Sequence, residues 1–320
     1  MENKKIPQVS LGKTGIDVSK LCFGTLTLSP LQRHLSIDEG AALLGYARDN
    51  GITFFDTAEL YQNYTYLKKA FERKDDVVIA TKSYSYDQKT AQESLDKARC
   101  GMNRDVIDIF MLHEQEGELT LKGHREAIDY FIEQKQRGVI KAFGISTHHI
   151  AGVEAAAKMR EIDVIHPIMN LTGIGIADGT RDEMSAAIMA AHEAGKGIYA
   201  MKPLGGGHLI QIREQALAYA LAQEDADAIA LGMQSEAEVR YNAALFSGIR
   251  PKEDDSGSTA NQSRRLLIHA DWCTGCGTCV TRCAQKALSL ENNVAVVDMA
   301  KCVLCSYCAA DCPVLAIKII

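Results

Sequence analysis

Between Leu21 and Gly232, short apolar runs alternate with longer segments in which apolar residues return every three or four positions. Runs of the first kind read as buried strands, and segments of the second as helices with one apolar face. The predicted strands are Leu21 to Thr25, Thr53 to Thr57, Val77 to Lys82, Val106 to His113, Ile140 to Ser146, Val164 to Asn170, Gly197 to Met201 and Ala228 to Gly232. Helix starts are signalled by Ser36-x-x-Glu39 and Thr180-x-x-Glu183, which fit capping boxes, and helix ends by Gly51, Gly138 and Gly195. Met184, Ala187, Ile188 and Ala191 form one stripe. Eight strand–helix units in about 250 residues give an α/β chain whose parallel sheet closes into a (β/α)8 TIM barrel. Ahead of it, Val9 to Leu11 and Ile16 to Val18 flank Gly12-Lys13-Thr14-Gly15, so a short hairpin is expected across the barrel bottom. An open doubly wound sheet would carry a G-x-G-x-x-G after the first strand, which is absent.

The pattern breaks at residues 249–265, which have almost no apolar content and read as a linker between a barrel over 1–248 and a tail over 266–320. With 47% hydrophobic and 24% charged residues, disorder is excluded. A net charge of -6 without a basic block argues against a nucleic-acid partner. No apolar run approaches the roughly 18–20 residues that span a bilayer, and Met1 to Lys5 lack the apolar stretch of a signal peptide. A cytoplasmic protein without a membrane partner is expected.

Three consecutive strands end in a polar residue where barrel chemistry sits: Asp56, Lys82 and His113, with Tyr61 in the loop after Asp56. Each alone has an ordinary explanation as a helix cap, a snorkelling lysine, a hydrogen-bonded core histidine or a packing ring. Together they set a carboxylate, an ammonium, an imidazole and a phenol around one mouth. That set suits proton donation to a carbonyl oxygen. The ammonium would lower the phenol pKa from about 10, the carboxylate would orient the ammonium, and a neutral imidazole would hold the substrate oxygen.

On these residues the chain resembles the aldo-keto reductase superfamily over roughly 8–248. The similarity is carried by Leu11 to Gly15, Val18 to Leu21, Gly24-Thr25, Phe55-Asp56-Thr57-Ala58-x-x-Tyr61, Thr81-Lys82, Leu112-His113, Gly144 to Ser146 and Pro203 to Gly207. The resemblance implies a catalytic tetrad of Asp56, Tyr61, Lys82 and His113, and hydride exchange between NAD(P)(H) and a carbonyl/alcohol pair. It also implies cofactor contacts from Gly24, Thr25, Asp56, Ser146, Thr147, His166, Met201, Lys202, Leu204, Gly206, Met233, Glu238 and Asn242. Three of these depart from the family pattern: Thr147 stands for Asn, His166 for Gln and Met201 for a stacking Tyr. The basic residues that often hold a 2′-phosphate have no counterpart in Gly232 to Ser235. Glu238 would discourage that phosphate or simply close a Ser235-x-x-Glu238 capping box. NAD and NADP both stay open.

Eight of the ten cysteines lie between Cys273 and Cys312. Disulfides would be reduced in the expected compartment. Cys273-x2-Cys276-x2-Cys279-x3-Cys283 is followed by Cys302-x2-Cys305-x2-Cys308-x3-Cys312-Pro313, the duplicated spacing of two-cluster bacterial ferredoxins. Zinc, the rival metal, usually takes two separated C-x2-C units. By the ferredoxin likeness, Cys273, Cys276, Cys279 and Cys312 would hold one [4Fe-4S] cluster, and Cys302, Cys305, Cys308 and Cys283 the other. The tail would then be a small α+β ferredoxin-like domain that unfolds without iron. One departure is Ala284, where the pattern has proline. Cys22 and Cys100 read as ordinary packing residues, and Trp272 as a packing ring rather than an electron relay.

The sequence therefore points to an oxidoreductase that interconverts a small carbonyl or alcohol substrate, its clusters exchanging electrons with an external ferredoxin or flavoprotein in an anaerobic cytoplasm. Clusters pass single electrons whereas nicotinamide takes a hydride. The second reading is an electron-transfer or assembly subunit whose barrel no longer binds nicotinamide productively. Substrate contacts are expected from Tyr84 to Gln88, Gly173 to Gly179 and His208 to Gln211.

Overall fold

A computed structural model of the chain describes residues 5–72, 76–251, 265–283, 285–302 and 307–319. The hairpin comes first, β1 (Gln8–Ser10) pairing antiparallel with β2 (Asp17–Ser19). Eight parallel strands then close a barrel: β3 (Leu21–Gly24), β4 (Phe54–Asp56), β5 (Val78–Ser83), β6 (Ile107–Leu112), β7 (Ile140–Thr147), β8 (Val164–Pro167), β9 (Gly197–Met201) and β10 (Ala228–Gly232). They follow one another in sequence order, and β10 pairs with β3 to complete the ring. Between and after them run α1 (Ile37–Asp49), α2 (Tyr64–Phe71), α3 (Gln88–Met102), α4 (Glu118–Gly123), α5 (Arg125–Gln136), α6 (Ile150–Lys158), α7 (Arg181–Glu193), α8 (Arg213–Leu221) and α9 (Glu236–Phe246).

The local signals act as expected. Both predicted capping boxes form, at Ser36–Glu39 and Thr180–Glu183, satisfying N–H groups that a helix start leaves open. Met184, Ala187, Ile188 and Ala191 are buried together. Val164 to Asn170 forms strand only as far as Pro167, which lacks the N–H a central ladder needs; Ile168 makes an isolated bridge to Met201. Side chains fill the barrel interior, among them Cys22, Phe54, Met111 and Tyr199, and Leu11, Ile16 and Val18 of the hairpin region plug its floor. The barrel is thus a packed core and not a pore, which leaves its rims for any site.

The tail has β11 (Leu266–Ile268), α10 (Thr278–Arg282), β12 (Leu288–Glu291), β13 (Val294–Val297), α11 (Tyr307–Ala310) and β14 (Ile317–Ile319). β11 pairs antiparallel with β14, and β12 with β13, so the two halves of the tail interlock. Its Leu315 packs into the barrel's own apolar cluster, beside Gly175 and Ile168. Most of the expected linker, residues 252–264, lies outside the described residues, as do Ala284 and Cys305. No helix among the described residues is long and apolar enough to cross a membrane.

Candidate active site and cluster site

Asp56, Lys82 and His113 stand at or just beyond the upper ends of β4, β5 and β6, all buried, and a 3-10 turn over Glu59–Tyr61 brings Tyr61 over them. Lys82 Nζ donates to both oxygens of Asp56 at 2.8 Å and to the Thr57 carbonyl at 2.8 Å. All three of its N–H bonds are thereby used. The Tyr199 hydroxyl inside the barrel donates to Asp56 Oδ1 at 2.9 Å, fixing the carboxylate from below. Lys82 Nζ lies 5.1 Å from the centre of the Tyr61 ring, whose centre is 6.0 Å from that of His113. The four residues predicted from the sequence are brought together.

Their electrostatics differ in one respect from the sequence expectation. Burial, then the Asp56 and Glu114 carboxylates, push the Tyr61 phenol well above its ordinary value. Lys82 does not lower it because Asp56 neutralises the ammonium at close range. As the side chains stand, Tyr61 is a firmly protonated acid. Burial, followed by Lys82 and His166, drives His113 well below the ordinary histidine value, so its ring is neutral at pH 7. Its Nδ1 is buried without a partner among the described residues. Tyr84, from a loop expected to contact substrate, stacks on the His113 ring at 4.6 Å.

Among the residues expected to contact a nucleotide, several have local partners. Ser146 Oγ accepts from the Glu114 N–H at 3.0 Å, and Thr147 Oγ1 from the His149 N–H at 2.9 Å. His166 stacks on Tyr199 with ring centres 3.9 Å apart, hydrogen-bonds the Tyr199 carbonyl through Nδ1, and holds Nε2 3.8 Å from Asp56. It thus packs beneath Asp56. Thr25 Oγ1 donates to the Asp56 carbonyl at 2.9 Å, while Gly24 lies half-buried at the rim. Met201 and Leu204 are half-buried there too, and Met233 is fully buried. The N–H groups of Gly205 and Gly207 bond inside their own loop, to the carbonyls of Lys202 and Leu204, so two of the three N–H groups of the glycine run are already taken. Glu238 accepts from the Gln234 N–H at 2.7 Å while its own N–H donates to Ser235, close to the expected capping box but one residue out of step. Asn242 donates to the Glu238 carbonyl, and its Oδ1 is buried without a partner. The buried, unpartnered Oδ1 of Asn242 fits an amino group of a nucleotide.

In the tail, Cys273, Cys276, Cys279 and Cys312 line a single cavity closed by Leu290, Ala295 and Ile317. Four cysteines from the two halves of the tail share this cavity, as the interleaved ligand set of one iron–sulfur cluster requires, although among the described residues their side chains are not gathered into a metal-holding group. Backbone N–H groups point at the sulfurs: Ala295 to Cys273 at 3.4 Å, Ala316 to Cys312 and Ala287 to Cys283 at 3.3 Å. Such bonds stabilise thiolate ligands and tune a cluster's potential. Cys283, Cys302 and Cys308 share the tail's apolar cluster, and their fourth expected partner, Cys305, lies outside the described residues. Trp272 stacks on His269 at 4.1 Å. Cys22 is buried in the barrel and Cys100 exposed on α3, away from the cluster set.

Tyr199, Asn63 and His148 were not singled out by sequence reasoning. Asn63 Nδ2 donates to the Thr25 carbonyl at 3.0 Å and its Oδ1 accepts from Thr57 at 2.6 Å, tying the Tyr61 turn to the strand ends. His148 Nε2 lies 2.7 Å from Lys202 Nζ. The available signals were faint: a lone phenol inside an apolar strand, and polar residues beside stronger candidates.

Comparison with known proteins agrees with this geometry. Residues 20–215 match the aldo/keto reductase family, and residues 265–313 match the 4Fe-4S dicluster domain. A probable aldo-keto reductase from Glycine max is 29% identical over 65% of this chain, a match spanning 62% of that protein. The uncharacterized oxidoreductase YqkF from Bacillus subtilis is 23% identical over 81% of this chain and 97% of its own. The solved aldo-keto reductase AKR11C1 from Bacillus halodurans, in its holo form, shares the fold with a TM-score of 0.64 at 21% identity, over 78% of this chain and 94% of its own. By its barrel and the family match over more than half its length, the chain belongs to the aldo/keto reductase family, and it carries a 4Fe-4S dicluster domain at its C-terminal end.

Proposed function

We propose that the barrel interconverts a carbonyl and an alcohol with NAD(P)(H), and that two [4Fe-4S] clusters in the tail exchange single electrons with an external redox protein. The observation that carries the reading is the convergence of a protonated, buried Tyr61 phenol and a neutral His113 above the Asp56–Lys82 pair. Reduced nicotinamide, when bound, supplies the hydride that adds to the carbonyl carbon. His113 directs its open edge at the substrate oxygen and orients it. Tyr61 gives its proton to that oxygen as negative charge develops there, and the resulting phenolate is stabilised by Lys82, whose ammonium is already fixed. In the reverse direction the same phenolate takes the alcohol proton. Tyr84 covers His113 and limits water access.

Asn242 Oδ1 is an acceptor suited to an adenine amino group, and Met201 and Leu204 offer apolar surface to the rings. The engaged side chains of Ser146, Thr147 and His166 favour the second reading, an electron-transfer subunit without productive nicotinamide binding. Anaerobically purified protein separates the two. Carbonyl reduction dependent on NADH or NADPH should be present in the native chain, with kcat lowered by about a thousandfold in Tyr61→Phe, since general acid catalysis contributes about 10²–10⁴. An unchanged Tyr61→Phe rate removes the tetrad reading. Absence of binding by either nicotinamide, alongside reducible clusters, leaves the electron-transfer subunit.

A further inference from the structure

Both halves of the tail make the same turn after the fourth cysteine of their run. The Lys286 N–H donates to the Cys283 carbonyl at 3.0 Å and the Ala287 N–H to the Cys283 sulfur at 3.3 Å. The Leu315 N–H donates to the Cys312 carbonyl at 3.1 Å and the Ala316 N–H to the Cys312 sulfur at 3.3 Å. Lys286 at φ 49° and Leu315 at φ 53° both stand in the left-handed region, where side chains are disfavoured. In the first turn that residue is an exposed lysine, but in the second it is a leucine only 2% exposed that belongs to the barrel's apolar cluster. Since the turn forms equally with lysine, it does not itself require Leu315, and the partners of that side chain lie on the barrel.

They lie at the loop between β8 and α7. A Cβ on Gly175 would lie 2.7 Å from Leu315 Cδ1 and 2.8 Å from Ile168 Cδ1. Barrel groups fasten this loop on either side: the Ile174 N–H donates to the fully buried Asn170 at 3.1 Å, and the Ala177 N–H to the His148 carbonyl at 3.0 Å. Its middle, Ile174 to Ile176, is only half-buried, and Leu315 packs on it from the tail. The neighbouring loop after β9 is touched as well, because a Cβ on Gly206 would lie 2.6 Å from Lys318 Nζ, and one on Gly205 2.7 Å from Ile174 Cγ2. The loop leaves the barrel beside the tetrad, since β8 also carries His166, 3.8 Å from Asp56.

We infer that Leu315 is a positioning residue, through which the iron–sulfur tail holds the β8–α7 loop in place as a wall of the substrate mouth. The expected cluster ligand Cys312 fixes the Leu315 turn through both its carbonyl and its sulfur, so the order of the loop depends on the cluster. A loop released from Leu315 populates other conformations, and the apparent affinity for substrate falls with the fraction that stays competent. Saturating substrate draws the loop back, so KM rises while kcat is kept. The substrate part of this inference rests on the carbonyl-reduction reading; the holding of the loop does not.

The test combines amide exchange with steady-state kinetics on the full chain, purified anaerobically with both clusters, using benzaldehyde as the carbonyl probe with NADH or NADPH. At unchanged iron content, Leu315→Ala should speed exchange at Ile174, Ile176 and Ala177 about tenfold. It should also raise KM about tenfold and leave kcat within about twofold. Leu315→Met, which refills the space, should restore both readouts. Iron removal should speed exchange at the same amides in the native chain and add little in Leu315→Ala, because both act through one contact. If Leu315→Ala loses iron, Gly175→Ala carries the same expectation, since its methyl would press on Leu315 from the barrel side with every cysteine untouched. Exchange unchanged in the iron-replete variants overturns the inference, as does faster exchange with KM unaltered or with kcat falling as far as KM rises. A native chain that reduces no carbonyl with either nicotinamide removes the carbonyl reading alone, and exchange then decides whether Leu315 holds the loop.

Discussion

Asp56 accepts from Lys82 through both oxygens and from the Tyr199 hydroxyl, and neither member of the ion pair is more than 5% exposed. A pair so deeply buried gains little over a well-packed neutral pair, but breaking it leaves a charge stranded in apolar surroundings. Asp56→Asn keeps an acceptor for Tyr199 yet strands the Lys82 ammonium, and should cost about 3–5 kcal/mol. Adding Lys82→Met removes the stranded charge, so the double variant should unfold at a higher temperature than Asp56→Asn alone, measured with both clusters in place. Additive losses would show that the two side chains are not coupled. Asp56, Lys82 and His113 were legible because each ends an apolar run at the rim of a predicted barrel. Tyr199 was not, because its partner lies 143 residues away and a phenol inside Gly197–Met201 looks like one more packing ring. The expected lowering of the Tyr61 phenol also needed coordinates, since it depends on which group takes the three N–H bonds of Lys82.

The turn between β4 and α2 shows how an element places Tyr61, the proposed acid. Asn63 is fully buried at the start of α2 and fastens that turn to Thr57 after β4 and to Thr25 after β3. Asn63→Ala would leave the Thr57 hydroxyl unpaired and remove a donor from the Thr25 carbonyl, at about 1–3 kcal/mol for the buried hydroxyl. The Tyr61 turn would then loosen with its chemistry otherwise intact. The expected kinetic signature is a fall in kcat of more than tenfold with KM changed much less, because orientation and not affinity is lost. Equal changes in both constants would place Asn63 in binding instead. Helix starts such as Ser36–Glu39 were readable because their bonds close within four residues. The 3-10 turn was not, because its fastening residues come from two connections whose members lie 38 residues apart. The early end of β8 follows from Pro167, a signal present in the sequence but outweighed there by the apolar run.

At the scale of the molecule, the division into a barrel and a cysteine-rich tail followed from composition and spacing, whereas their docking through Leu315 and Lys318 did not. Both residues come after the last cysteine in a stretch that reads only as the closing strand of the tail. In the structure Leu315 belongs to the barrel's apolar cluster, while Ile317 lines the cysteine cavity and pairs with Ile268. One short segment therefore joins the cluster site to the rim. The tail's own apolar cluster is small and its buried members include Cys279, Cys308 and Cys312, so these thiols relieved of iron would be left as unsatisfied groups inside it. The barrel has a separate, far larger core that needs no metal. Anaerobic removal of iron should thus unfold the tail alone. Amide exchange should rise to near-unprotected rates at Leu266 to Ile268 and at Ile317 and Lys318, while β6 and β7 keep their protection. Exchange at Ile168 and Gly175 should rise moderately as Leu315 withdraws from them. Protection retained by β11 and β14 without iron would show that the tail folds on its packing alone; loss of protection in β6 and β7 as well would show that the barrel depends on the tail.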